Sequence, residues 1–238
     1  MTWSIVARDS RSGAFGVAIA TRFFAVGALC PHAESGVGAL STQALVNPHY
    51  GKHGLELLRA GVPAPEVVKR LVAPDEGREH RQLHVVDAQG RIGQFTGAQC
   101  VDWCGALHGN GFSVAGNMLA NERVIPETAK AYEYSKASFP EKLISALEAG
   151  EAAGGDKRGK QSAALIVYSK ESYADLNLRV DDHAEPLAEL RRLYGKAQER
   201  FVPYLGCSPS KARPWGILDR DQIERAIQDF QKARGRSS

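Results

Sequence analysis

No apolar run in the sequence approaches the roughly 20 residues that a membrane-spanning helix needs, so no membrane partner is expected. The N-terminus lacks a basic stretch followed by an apolar one, so no secretory signal is read there and a cytoplasmic location is expected. Cysteine is scarce. Cys30, Cys100, Cys104 and Cys207 are too few for a disulfide scaffold in a chain of 238 residues and read as reduced thiols. Charge of either sign is nearly balanced: 30 Lys/Arg against 27 Asp/Glu leave +3, which calls for no nucleic-acid partner. The balance shifts from Leu187 on, where eleven Lys/Arg face six Asp/Glu. The tail of Lys232, Arg234 and Arg236 reads as a solvated basic end. No phosphate loop is present: "GGDKRGK" lacks the G-x4-G-K-[ST] spacing and runs into a strand, so no cofactor is expected.

The remaining composition is that of one globular domain with a small addition. Short β-branched strands come first, Ser4–Arg8 and Ala14–Thr21, joined by the turn Asp9-Ser10-Arg11-Ser12-Gly13. Further strands fit Val26–Cys30 and Gly36–Thr42. Gly16, Gly27, Gly36 and Gly38 suggest close backbone approach by another sheet or a ligand. Two helices follow at Gly54–Arg59 and Pro65–Leu71. Strands then fit Arg81–Val86, Arg91–Thr96, the vicinity of Ala106, and Phe112–Ala115. A second helix pair reads at Glu122–Lys136 and Pro140–Ala149, where Leu143, Ile144 and Leu147 share a face. Ser162–Tyr168 and Leu176–Val180 are strands, Pro186–Gln198 and Asp221–Ala233 helices, and 201–214 irregular. Helices arrive in pairs rather than singly between strands. That order argues against a doubly wound parallel sheet and for an α+β fold, a four-layer αββα sandwich of two antiparallel sheets. Residues 1–186 are expected to form that domain, and 187–238 a helical extension packed on it.

The chemistry begins at Thr2. Initiator methionine is removed ahead of small residues, which would leave a β-hydroxyl residue bearing a free α-amine. Such an amine, with a pKa near ~7.7, suits a general base at neutral pH. It can take the proton from its own hydroxyl, so nucleophile and base share one residue. A hairpin turn centred between Arg11 and Ser12 brings Thr21 and Arg22 back beside Thr2. A cation there lowers the amine pKa; Arg22 is equally suited to a substrate carboxylate.

Long stretches of the chain resemble a known family. "TWSIVARD", "GVAIATR", "GVGALSTQALVNPHYGKHGLELL", "RQLHVVDAQGR", "FTGAQC", "AGNML", "AGGDKRGKQSAALIV" and "LRVDDHAEPLAELRRLY" look like the DUF1028 family, a bacterial group placed in the Ntn-hydrolase superfamily with proteasome β subunits. The resemblance runs from residue 2 to about 194. Beyond it the chain is similar, more loosely, to a C-terminal appendage of some members described as peptidoglycan-binding, here short and irregular. The resemblance implies the αββα fold and an N-terminal threonine nucleophile. It implies an oxyanion-hole turn at Ser41-Thr42-Gln43 and a loop supporting the amine at Ala115-Gly116-Asn117. It also implies an orienting carboxylate at Asp156. The superfamily's lysine near the nucleophile is not evident; Arg22 is the nearest basic residue. Gly159 stands where a serine usually follows the Asp.

The expected reaction is hydrolysis of a small-molecule amide. The Thr2 hydroxyl attacks the carbonyl, N–H groups near Thr42 and Gln43 and the Asn117 amide hold the oxyanion, and the amine protonates the leaving nitrogen. Asp156 either orients the amine or caps a turn, and Asn47 before Pro48 reads as a turn residue. The rival reading is a catalytically silent binding protein that recognises cell-wall fragments. A third is a metal hydrolase at Cys100, Cys104 and His108. Their C-x3-C-x3-H spacing is not a standard zinc site, and thiols are the simpler reading. His183 after Asp181-Asp182 reads as the approach to the next helix, and "HGNG" at 108–111 as a tight turn. A homodimer is expected.

Overall fold

The structure, a computed structural model, describes residues 2–235; the removal of Met1 and the Arg236 end of the basic tail lie outside them. The chain divides into two compact units, Met1–Leu190 and Arg191–Ser238. The strands are β1 (Thr2–Arg8), β2 (Phe15–Thr21), β3 (Pro31–Glu34), β4 (Gly38–Ala44), β5 (Arg81–Asp87), β6 (Ile92–Thr96), β7 (Gly105–Gly109), β8 (Phe112–Asn117), β9 (Ser162–Tyr168) and β10 (Leu176–Val180). The α-helices of the first unit are α1 (His49–Arg59), α2 (Ala64–Val72), α3 (Val124–Tyr134) and α4 (Phe139–Ala152); α5 (Pro186–Glu199) carries the chain into the second unit, which also holds α6 (Phe201–Leu205) and α7 (Arg220–Gly235). No helix among the described residues is long and apolar enough to cross a membrane.

The first unit is the α+β, four-layer αββα sandwich. One antiparallel sheet runs β10-β9-β2-β1-β8-β7, the other β3-β4-β5-β6. The period of two in each strand sorts its side chains to opposite faces. On β4 and β5, Leu40, Leu83 and Val85 face α1 and α2 and pack with Tyr50, Leu58, Val67, Val68 and Leu71. Val6, Val17, Ala39, Val86 and Ile166 face inward and fill the space between the sheets. The pair α3 and α4 covers the other outer face, α4 opening with a capping box between Ser138 and Glu141.

The first hairpin forms as its turn chemistry dictates. Asp9 accepts hydrogen bonds from the Ser12 N–H at 3.1 Å and the Ser12 hydroxyl at 2.5 Å, and Gly13 takes φ 74°. Trp3 stands opposite Ala20, which puts Thr2 level with Thr21. On the other side of β1, Thr2 stands opposite Asn117 of β8. Thr2 therefore begins a central strand.

Three expectations change. The stretch 201–214, expected to be irregular, opens with the short helix α6. The stretch expected as a strand at Val26–Cys30 is a single 3-10 turn over Val26–Ala28, and the strand begins at Pro31. Ala25 takes a left-handed conformation there, and the Val26 N–H donates to the Ser162 hydroxyl at 3.1 Å. Tertiary contact thus overrides the local β preference. Helix α1 starts five residues before the expected Gly54. Its two glycines concealed it: a Cβ on Gly51 would strike the His32 ring, and one on Gly54 would meet Leu40 at 2.6 Å. The close approach inferred for Gly16 and Gly27 is likewise to protein side chains, Leu143 and Ala164.

Candidate active site

Thr2 lies at one end of the sandwich with its side chain on the inward face of β1, and is 6% exposed. Its hydroxyl donates to the Thr21 hydroxyl at 3.2 Å across the hairpin. It lines a cavity of about 220 Å³ together with Phe23, Val26, Leu29, Cys30, Ala44, Leu45 and Val46. Burial pushes the Cys30 thiol up to about 12, so it stays protonated and counts as an apolar wall. Ala44 and Leu45 also line a second cavity of about 230 Å³, with His80, Gln99, Cys100, Val101, Asn117 and Met118.

Thr42 and Gln43 lie within β4 rather than in a turn. The Thr42 N–H donates to the Cys30 carbonyl at 3.1 Å, and its hydroxyl to the Asn47 carbonyl at 3.3 Å. Backbone groups of an antiparallel strand alternate in direction. With Thr42 bonded towards β3, and Leu45 N–H donating to the His80 carbonyl at 3.1 Å, Gln43 faces β5 and is held in that ladder. Both N–H groups are thus engaged within the sheet, that of Thr42 with Cys30 and that of Gln43 in the ladder to β5. The next N–H of the β3-facing series belongs to Ala44, at the strand end and on the cavity wall. Ala44 itself turns at φ 69°, which no feature of the residue type announces.

The side chains of Gln43 and Asn117 belong to a buried polar network between the sheets. Gln82 is its hub. Its Oε1 accepts from Gln43 Nε2 at 2.8 Å and Asn117 Nδ2 at 3.0 Å, and its Nε2 lies within 3.1 Å of Thr96 Oγ1 and of the carbonyls of Gly105 and Gly116. The Asn117 amide is thus committed to Gln82 and, at 3.5 Å, to the Thr2 carbonyl. The Asn117 side chain therefore lies between Gln82 and the Thr2 carbonyl. Gln43 Nε2 also donates to the Ala115 carbonyl at 3.2 Å and reaches the Thr2 carbonyl at 3.5 Å.

The network continues along β1. The Ser4 hydroxyl donates to Gln43 Oε1 at 2.6 Å and lies 2.7 Å from His84 Nε2. His84 Nδ1 lies 2.9 Å from the Ser113 hydroxyl, which accepts from Gln94 Nε2 at 2.7 Å. Since Ser4 spends its only hydrogen on Gln43, His84 must carry its proton on Nε2 and accept from Ser113 at Nδ1. Complete burial pushes His84 down to about 3, so the ring is neutral. Replacing Gln82 by leucine leaves the Gln43 and Asn117 donors buried without their acceptor. At ~1–3 kcal/mol for each unsatisfied group, the variant is expected to lose about 3 kcal/mol of stability or more, read by urea denaturation. An unchanged midpoint would show that the network contributes nothing.

Asp156 and Arg22 come together through the Arg22 backbone. The Asp156 carboxylate accepts from the Arg22 N–H at 2.7 Å and the Arg158 N–H at 2.8 Å, and pairs with the Arg158 guanidinium at 3.2 Å. It caps its own loop and pins the residue after Thr21, so its tie to Thr2 runs through that backbone. The Arg22 side chain is exposed and donates to the Arg158 carbonyl. Loop 22–30 is held next to Arg22 by Ser162 as well, whose hydroxyl donates to the Phe23 carbonyl at 2.6 Å.

Cys104 donates to the Cys100 carbonyl at 3.5 Å, and His108 lies on β7. Among the described residues, no group of three or more His, Cys, Asp or Glu is placed to hold a metal ion. Asn47 is a turn residue: its Oδ1 accepts from the His49 N–H at 3.2 Å and its Nδ2 donates to Asp75. The residues that sequence reasoning missed are Ala44, Leu45 and the cavity walls of loop 23–30, together with Ser4, Gln82 and His84.

Two antiparallel sheets between helix pairs, with a hydroxyl residue opening the central strand beside a cavity, define a four-layer αββα protein with a candidate site at position 2. The chain belongs to DUF1028, a family of unknown function, whose model matches residues 2–190. It is similar to the crystal structure of a protein of the same family from Silicibacter pomeroyi, at 31% identity over 92% of this chain and 96% of that one, with a TM-score of 0.86. Weaker likenesses are to Anbu, described as an ancestral beta-subunit, from Yersinia bercovieri (13% identity, 87% of this chain, 98% of that chain, TM-score 0.39) and to a Gly-1 mutant of Anbu from Hyphomicrobium sp. strain MC1 (10%, 83%, 94%, TM-score 0.40). At these scores they say nothing of this chain's chemistry. No curated protein matches it in sequence.

Proposed function

We propose that this protein hydrolyses a small amide-type bond with Thr2 as an N-terminal nucleophile, freed by removal of Met1. The observation that carries the reading is the place of Thr2. A β-hydroxyl residue at position 2 is held by strands on both sides, hydrogen-bonded through its hydroxyl to Thr21, and opens on a cavity.

The α-amine takes the hydroxyl proton as Oγ1 bonds to the substrate carbonyl carbon. The carbonyl oxygen becomes the oxyanion, and the Ala44 N–H is the donor offered to it; one such donor is worth roughly 3 kcal/mol of barrier. The amine returns the proton to the leaving nitrogen, the C–N bond breaks, and an ester on Thr2 remains. Water, deprotonated by the same amine, hydrolyses that ester and restores the hydroxyl. Asn117 and Gln43 keep the Thr2 carbonyl in place, and Asp156 holds the Arg22 backbone beside it.

Intact mass and N-terminal sequencing of the purified protein should show Thr2 as the first residue. A β-lactone should then add its full mass to that residue. Retention of Met1, or an adduct elsewhere with Thr2 unmodified, would overturn the proposal.

A further inference from the structure

The cavity beside Thr2 carries information on what the site accepts. Its walls are Phe23, Val26, Leu29, Cys30, Ala44, Leu45 and Val46, with no charged side chain among them, and Cys30 is held protonated by burial. At about 220 Å³ it is smaller than the ~300–1,000 Å³ of sites for drug-sized ligands, and suits a single side-chain-sized group. The apolar character continues outward, since Phe23, Leu29 and Leu45 are all exposed at its rim. Scattered exposed apolar residues need no explanation; several converging on one cavity mouth do.

The walls are also fixed in advance. Ser162 accepts from the Val26 N–H and donates to the Phe23 carbonyl, Asp156 holds the Arg22 N–H, and the Ala25 N–H donates to the Asp181 carbonyl at 2.9 Å. Gly27 packs so closely on β9 that a Cβ there would lie 2.6 Å from the Ala164 Cβ. Loop 22–30 thus binds without ordering itself first, which favours selectivity by shape and polarity. Arg22 follows Thr21 directly, yet its guanidinium donates to the Arg158 carbonyl and is not part of the cavity wall.

We infer that the substrate presents an uncharged, apolar group of branched-aliphatic or aromatic size on the acyl side of its amide, seated in this cavity while the carbonyl lies between Thr2 and Ala44. The inference rests on Thr2 being the nucleophile and names the substrate class of that same site. A carboxylate or ammonium in this position would lose its water and find no partner.

A matched set of β-lactones tests it, identical except for an isobutyl, benzyl, carboxyethyl or aminobutyl side chain. Each acylates Thr2 Oγ1 by ring opening, with no leaving group. Acylation rates are followed on the full-length protein by mass spectrometry. The isobutyl and benzyl compounds should react at least about tenfold faster than the two charged ones, the lower end of what burial of such a group commands. Leu45 is exposed, and Leu45→Arg should slow the benzyl compound and speed the carboxyethyl one. Equal rates, or faster reaction of a charged compound with the adduct still on Thr2, overturn the substrate class and leave the nucleophile standing. An unchanged order in the Leu45→Arg variant also overturns it. Failure of all four to modify Thr2 overturns the nucleophile itself.

Discussion

Lowering the pH from 6.5 to 5 should destabilise the protein by up to about 2 kcal/mol through His84 alone, at ~1.4 kcal/mol per pH unit for one proton. The ring is fully buried between the sheets and pushed down to about 3 by loss of water, whereas in the unfolded chain it titrates near ~6.5. Between those values the unfolded chain binds a proton that the folded one refuses. The stability His84 contributes is therefore complete above pH 6.5 and is lost as pH falls towards 3. Protonation would also put a hydrogen on Nδ1, where the ring accepts from Ser113, and would place a charge among Ser4, Gln43 and Gln94. His32 is half-buried, and burial shifts it in the same direction, so it adds to the slope. Urea denaturation of the wild type and His84→Gln at pH 6.5 and 5 separates the contributions. The variant should lose most of the difference; an identical slope in both proteins would remove His84 from the account.

Replacement of Thr2 by alanine is expected to abolish catalysis, with a loss of at least ~10³-fold in kcat, because no second group supplies the nucleophile. The fold should hardly notice. Thr2→Ala removes the hydroxyl–hydroxyl bond to Thr21 at 3.2 Å, worth ~1 kcal/mol, while the β1 ladders to β2 and β8 remain. Thr2→Ser keeps hydroxyl and amine and should retain measurable turnover. The readout is release of amine from an apolar N-acyl amide, beside thermal denaturation of the same samples. A fully active Thr2→Ala protein would exclude the nucleophile; an inactive one with a much lower Tm would report damage to the fold instead.

The layer order was legible because it rests on local chemistry. The turn from Asp9 to Gly13 dictates the hairpin, and its length puts Thr2 opposite Thr21 by counting alone. The strands Ser162–Tyr168 and Leu176–Val180 fall where their alternation and β-branched content place them. The strand expected at Val26–Cys30 was misread because its residues favour extension while Ser162 and Ala164, far along the chain, decide otherwise.

The site was legible in its first residue and less so in its surroundings. Thr2, Arg22, Asn117 and Asp156 do gather at one end of the sandwich, but the side chains of Asn117 and Asp156 are committed to Gln82 and to their own loop. One further signal was present and unread. Thr2 and Ser4, Ser41 and Gln43, and Gln82 and His84 each repeat polar residues at spacing two on strands buried on both faces. Such a pattern marks a polar seam through a core, because buried polar groups must find partners on the facing sheet.

By itself, then, the sequence determined the strands other than β3, the helix pairs and the register that brings Thr21 and Arg22 to Thr2, since periodicity and turn residues act over a few positions. Tertiary structure alone decided that Ala44, at the end of β4, lines the cavity while the Thr42 N–H is spent on Cys30, that Gln82 and His84 lock the two sheets together, and that the wall beside Thr2 is apolar. Those depend on which strand end meets which loop, and no local property of alanine, glutamine or leucine encodes it.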